Sequence, residues 1–277
     1  MIIKPLLTAR ITVKKRFSAM RITDLDRVRA LPLFAKVDAD TFSEVTSGAF
    51  LQRFPGGTTL LLEGDPVDFL YVLLDGQVEL QGSWKEKETT LAVLRPVSTF
   101  ILAAVVLDTT SLMSAVTLER SEVLMISGNA LRRGMKRDPA FCFEVSQELA
   151  GCYRGLVRSV KNHKLRSAVE RLANYLVTLQ VRQGGGIEIT IPHEKRVLAS
   201  LLGMTPENLS RAFGKLDAYG VVVDGNRVRL GNPDKLMRLA RPSAWIDNHT
   251  PPLEVPLGKA ERERWPLGLG NGHHSNV

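Results

Sequence analysis

The sequence predicts an α+β chain in which an antiparallel β-roll, or jelly roll, is followed by one long helix and then by a winged helix-turn-helix. Three patterns carry that prediction. Between residues 50 and 127, short β-prone runs alternate with glycine turns. After Asp138-Pro139, apolar residues recur at three- and four-residue steps as far as about Asn162. Residues 193–220 then read as two short helices joined by a tight turn, with a two-strand ribbon behind them.

Composition frames these patterns. The 277 residues, 44% apolar and 24% charged, describe a globular chain long enough for two domains. An excess of 37 Lys+Arg over 29 Asp+Glu gives +8, which suits a polyanionic partner. No apolar run approaches the roughly 18 to 20 residues of a membrane span, so no membrane partner is expected. The N-terminal MIIKPLLTARITVKKRF has neither a continuous hydrophobic region nor a small-residue cleavage site, so no secretory signal is expected. Two cysteines argue against a disulfide scaffold and fit a reducing cytoplasm.

The predicted divisions follow the composition. Residues 1–24 form a basic extension, 25–139 the β-roll, 140–163 a dimerisation helix with its hinge, 164–240 the winged helix-turn-helix, and 241–277 a disordered tail rich in Pro, Gly and charge. Ahead of the roll, Asp38 reads as a helix cap and Leu31-Pro32-Leu33-Phe34 as a break. Within the roll the clearest strands are 58–62, 69–74, 77–81 and 90–94, and 115–118 and 122–127 extend the set. On the long helix, Val145, Leu149, Cys152, Leu156 and Val160 approach a heptad seam, which predicts a homodimer; the competing reading packs the same face on its own roll.

The last third carries the chemistry. Val197, Leu198, Leu201 and Leu202 share one helical face, Gly203 suits a helix end, and Thr205, Pro206 and Glu207 are a cap, a first-position proline and a favourable first-turn charge. On the second helix Leu209, Phe213 and Leu216 form the inward stripe, leaving Glu207, Ser210, Arg211 and Gly214 outward. A carboxylate, a hydroxyl and a guanidinium on one exposed face suit base edges of double-stranded DNA, because Arg pairs two ways with guanine and Glu accepts from cytosine. Read blandly, Glu207 and Arg211 are a solvated i,i+4 pair worth a few tenths of a kcal/mol. The ribbon at 221–230, turning at Asp224-Gly225-Asn226, tips the balance towards a DNA-reading wing. Lys195, Arg196, Thr205 and Arg227 are candidates for the DNA backbone.

Taken together, residues 25–240 resemble the CRP/FNR family of bacterial transcription regulators. FPGGTTLLLEGDPVDFLYVLLDGQVEL is similar to the family's sensor signature, with Gly57, Gly64, Tyr71 and Gly76 at its turn and strand positions. TPENLSRAFGKLDAYGVVV resembles its recognition helix, and the Glu207, Ser210, Arg211 set resembles the FNR branch. The resemblance implies a cyclic-nucleotide-binding-like roll, a homodimer on palindromic DNA with TTGAT-type half-sites, and RNA polymerase as a partner; with no nucleophile–base pair, metal-ligand cluster or Walker-type loop in the sequence, no enzymatic activity is expected.

The effector region departs from that pattern. In FILAAVVLDTTSLMSAVTLE, Leu102 and Ala103 replace the Gly-Glu pair that engages ribose in cyclic-nucleotide binders, and Met113 stands where an Arg would grip phosphate. An unpaired charge is costly to bury, so cyclic AMP is not expected. An iron–sulfur cluster wants about four thiolates, against Cys142 and Cys152 alone. A haem needs an axial ligand, and none of the five histidines lies in the roll. The effector is unidentified; Phe100, Leu102, Ala103, Leu112 and Met113 are the candidate lining of an apolar pocket. Alternative readings are a cyclic-nucleotide module with an atypical pocket and a redox regulator bridged through Cys152.

Overall fold

The computed structural model describes residues 22–247. The predicted basic extension, apart from its last three residues, and the part of the predicted tail beyond Asp247 lie outside that range. The chain starts with α1 (Ile22–Arg29), a 3-10 turn at Pro32–Phe34 and α2 (Ala39–Thr46). Eight strands follow: β1 (Phe50–Phe54), β2 (Thr59–Leu61), β3 (Phe69–Asp75), β4 (Val78–Trp84), β5 (Lys87–Leu94), β6 (Ser98–Phe100), β7 (Ser114–Thr117) and β8 (Ser121–Ser127), with α3 (Leu102–Leu107) between β6 and β7. They form two four-stranded antiparallel sheets, β1-β8-β3-β6 and β2-β7-β4-β5.

Side chains alternate between the two faces of a sheet. β3 and β8 are covered on both faces: Leu70, Leu124 and Ile126 are buried on one and Leu73 and Val123 on the other, where Phe100 also stacks on Tyr71 with ring centroids 5.2 Å apart. The β3–β4 turn needs glycine at 76: φ is +87° and an added Cβ would fall 2.4 Å from the Ser121 hydroxyl. Arg27 of α1 and Arg53 of β1 both pair with Glu122 on β8, fastening the first helix to the roll. Burial alone would raise that carboxyl, yet the two guanidiniums outweigh it and hold it below the usual range.

The roll ends in α4 (Gly128–Arg137), and Asp138 starts α5 (Pro139–Leu165). Asp138 accepts backbone bonds from Ala140 at 2.8 Å and Phe141 at 3.2 Å, the arrangement of an N-cap. Its other oxygen accepts from the Asp38 amide at 3.0 Å, and Asp38 in turn caps α2 through the Asp40 and Thr41 amides. Phe141 and Val145 are fully buried in the roll's core, with Phe141 stacked on Phe34.

Only Arg166 and Ser167 separate α5 from α6 (Ala168–Arg182), which opens on a capping box between Ser167 and Glu170. Then come β9 (Glu188–Thr190), α7 (Lys195–Leu201), α8 (Pro206–Leu216), a 3-10 turn at Asp217–Tyr219, β10 (Val221–Asp224), β11 (Arg227–Leu230) and α9 (Pro233–Ala240). The three strands pair in the order β10-β11-β9, and a second core of Leu172, Leu176, Leu198, Leu209, Leu216 and Leu236 lies beneath them. Among the described residues no helix is long and apolar enough to cross a membrane.

Three elements differ from the sequence-based expectation. The apolar run 100–107 divides into the end of β6 and α3, because Ile101 turns the chain with φ of +65°. Residues 128–137 are helical, an amphipathic segment that strand-period reading passes over. Residues 241–247, expected to be disordered, are folded against the α5–α6 joint through a buried ion pair of Arg166 with Asp247.

Replacing Asp138 tests the capping arrangement. Asp138→Ala is expected to cost about 1–2 kcal/mol in urea denaturation. Hydrogen bonds from the Asp38, Phe141 and Ala140 amides hold this carboxyl low, so its contribution is present above about pH 4 and is lost as pH falls below that. A variant as stable as the parent at neutral pH overturns the assignment.

Candidate nucleic-acid interface

The α7–α8 pair is built around a tight reversal. Leu202 and Gly203 end α7, with Gly203 at φ +63° and its amide bonded to the Ser200 carbonyl at 2.8 Å. Thr205 then caps α8 by accepting from the Asn208 amide at 3.3 Å, and Pro206 fills the first helical position, where no amide is needed. Leu209, Ala212 and Leu216 are buried on the inner face. The expected stripe included Phe213, which is only partly buried, whereas Ala212 beside it is 2% exposed and belongs to the inner face.

The outer face of α8 is exposed along Glu207, Ser210, Arg211, Gly214 and Lys215. The Thr205 hydroxyl, the helix-end amide and the Arg211 charge hold the Glu207 carboxyl below its ordinary range, so it is ionised at neutral pH. The Ser210 hydroxyl donates to the Pro206 carbonyl at 3.1 Å, and Arg211 reaches Asn208 at 3.4 Å. Both are exposed local contacts, which a base edge can replace at little cost. Lys195 and Arg196 stand exposed at the start of α7, and Arg227 begins β11, the central strand of the three-stranded sheet, opposite Asp224.

The predicted seam on α5 divides in two. Val145 and part of Leu149 belong to the roll's core, and Cys152 is half-buried. Burial, then the charge of Glu148, pushes the Cys152 thiol up to about 11, so a reactive thiolate is absent at neutral pH. Beyond this point Tyr153, Leu156, Val157 and Val160 are exposed by 68%, 60%, 40% and 49%. With Leu149, the outward positions 149, 153, 156 and 160 keep steps of four, three and four residues. Tyr153 therefore replaces Cys152, which the approach of α5 to the roll turns inward: Glu148, one turn earlier, accepts a hydrogen bond from Thr99 of β6.

The five residues expected to line an effector pocket do not converge on one. Phe100 and Leu102 are core, Ala103 faces outward on α3, Leu112 is 80% exposed and Met113 packs only partly. Because α3 breaks the apolar run, its residues are distributed around a helix instead of along one wall.

Known proteins carry the same two parts in the same order. The cyclic nucleotide-binding domain family matches residues 51–138, and the Crp-like helix-turn-helix domain family matches residues 170–239. A CRP-like cAMP-activated global transcriptional regulator of Mycobacterium tuberculosis is 23% identical over 215 residues, covering 76% of this chain and 96% of that relative. The nitrogen fixation regulation protein FixK of Rhizobium meliloti is 36% identical over 74 residues, 26% of this chain and 35% of FixK. The chain belongs to the CRP/FNR family of transcription regulators. In fold it is also similar to FixK2 of Bradyrhizobium japonicum, with a TM-score of 0.61 at 20% identity, over 71% of this chain and 99% of that one.

One contact in this CRP/FNR chain has no signal in the sequence. The head lies on the outer face of the roll, where the Thr90 amide and Thr89 hydroxyl of β5 meet the Ser200 hydroxyl of α7. Glu79 alternates with the core residues Val78 and Leu80, so it points to that same outer face, yet it is only 2% exposed and accepts from Thr90 and Gln81. His193 and Tyr175 of the head are largely buried and both feel the charge of Arg95 of the roll. Burial and then the Arg95 charge push the His193 imidazole down to about 4, and its Nδ1 has no partner. Periodicity cannot register such an interface, because polar residues pair across it.

A pH series tests that placement. The unfolded imidazole takes up its proton near 6.5 and the folded one only near 4. Stability linked to His193 is therefore full above about pH 6.5 and declines as pH falls towards 4. The melting temperature of His193→Gln is expected to fall less between about pH 7 and about pH 5 than that of the parent; equal losses overturn the placement.

Proposed function

We propose that the chain is a homodimeric regulator that reads a palindromic site, one copy of α8 entering each of two successive major grooves about one helical turn apart. The observation that carries this reading is the exposed trio Glu207, Ser210 and Arg211 on a capped helix whose opposite face is buried. Arg211 has the donor fork that pairs with guanine, and Glu207 offers an acceptor to cytosine. The similarity of this trio to the FNR branch supports half-sites of TTGAT type. Lys195, Arg196, Thr205 and Arg227 hold the backbone and fix register.

The exposed stripe from Tyr153 to Val160 supports dimerisation, since an apolar row at heptad steps is most readily covered by its own copy. The β-roll receives the signal. Neither cyclic AMP, haem nor an iron–sulfur cluster is proposed as that signal: the roll offers no Arg at Met113 and no axial His, and its adjoining helix brings only two thiols. RNA polymerase is the further partner of a regulator of this type, acting in the cytoplasm.

Two measurements test the proposal. Arg211→Ala is expected to lose about 1–3 kcal/mol on the preferred palindrome by fluorescence anisotropy, with discrimination relaxed at one base step of each half-site. Unchanged affinity removes α8 from the recognition role. Sedimentation of the Tyr153→Asp, Leu156→Asp double variant is expected to give monomers; a persistent dimer places the subunit contact elsewhere.

A further inference from the structure

The joint between α5 and α6 is held from outside the matched helix-turn-helix region. Arg166 has extended backbone angles, φ −115° and ψ 143°, and is all that separates the end of one helix from the cap residue of the next. Its side chain is nonetheless only 8% exposed, beside an Asp247 side chain 13% exposed. Both Arg166 Nη atoms donate to the Asp247 carboxylate. Nη1 also donates to Asn162 Oδ1 at 3.1 Å, one turn back on α5, and Nη2 to the Arg241 carbonyl at 3.3 Å, just past α9. One side chain thus ties the long helix, the joint and the segment that follows the head.

The Asp247 end is equally well defined. The Ser243 amide donates to Asp247 Oδ2 at 2.7 Å, and the Ile246 and Asp247 amides return to the Ser243 carbonyl, closing a compact turn. Lys161 of α5 donates to the Trp245 carbonyl at 3.5 Å. On the opposite side of the joint, the Arg166 carbonyl accepts from Arg171 at 2.6 Å, and Arg171 also donates to the Leu202 carbonyl at the α7–α8 reversal, at 2.8 Å. The Crp-like helix-turn-helix match ends at residue 239, so the strap of 241–247 lies beyond the matched region.

We propose that Asp247 is a positioning residue for DNA recognition: acting through Arg166, it sets the angle at which the reading head leaves the dimer helix. This rests on the dimeric palindrome reading above. Removing the carboxylate leaves a buried guanidinium without its counter-charge, and it must turn to water, releasing Asn162 and Arg241 together. The head keeps its own core and its exposed α8 face, neither of which includes Asp247. Base reading therefore survives, while the distance between two heads is no longer fixed.

The test separates those properties. Full-length protein is titrated onto a single half-site and onto palindromes whose spacer is correct, one base pair shorter or one longer. Asp247→Ala is expected to bind the single half-site as the parent does, and to lose about tenfold of the parent's preference for the correct spacer. Asp247→Glu, which keeps the carboxylate, is expected to restore most of that preference. Asp247→Asn keeps the size without the charge and should behave as Ala does, which covers the case in which Ala disorders the strap. A parent that discriminates spacers beside Ala and Asn variants that discriminate equally well overturns this inference alone. A parent with no spacer preference overturns the dimeric reading and the inference with it.

Discussion

The Asp138 carboxylate is the constraint on which the rest of the molecule depends. By accepting from Ala140 and Phe141 it fixes where α5 begins, and by accepting from Asp38 it fixes that start against the helices in front of the roll. Phe141 and Val145 then commit the first two turns of α5 to the roll's core. A helix is stiff over its length, so a 27-residue helix anchored at its base carries direction to its far end about 40 Å away. The exposed stripe, the joint at Arg166 and the head all inherit their position from that base.

The inside of the roll is consistent with a part that transmits force. Tyr71 and Phe100 stack within the roll's core, and burial has pushed the Tyr71 phenol up to about 12. Glu148 on α5 is likewise pushed up by burial while it bonds to Thr99 of β6. Because α5 touches the sheet through buried polar groups as well as apolar ones, a shift of β6 cannot leave the helix where it was. On the proposed reading, a signal at the roll reaches the head along this route.

The winged head was legible in the sequence because its determinants are local. The Thr205-Pro206-Glu207 start, the glycine at 203 and the hairpin turn at Gly225 are short-range signals, and all three appear in the structure at those positions. The strand order of the roll was not legible, since pairings such as Phe50 with Met125 join residues far apart in the chain. The heptad spacing puts Cys152 where the outward row has Tyr153 for a related reason: a helix rotates slowly against a heptad, and only the roll shows which face it occupies. Leu112 illustrates the converse error, an apolar residue read as lining that lies 80% exposed at a loop. The strap has no local signal, because its composition resembles a solvated tail whereas its order comes from one distant arginine.

Gly203 carries a second constraint besides its positive φ. A Cβ at that position would lie 2.6 Å from the ring of His163, near the end of α5, so the reversal between α7 and α8 rests directly against the long helix. The corner that shapes the reading motif is thereby also a bearing surface. A side chain at the turn would have to displace the His163 ring, so corner and shaft meet through one exposed side chain of the long helix.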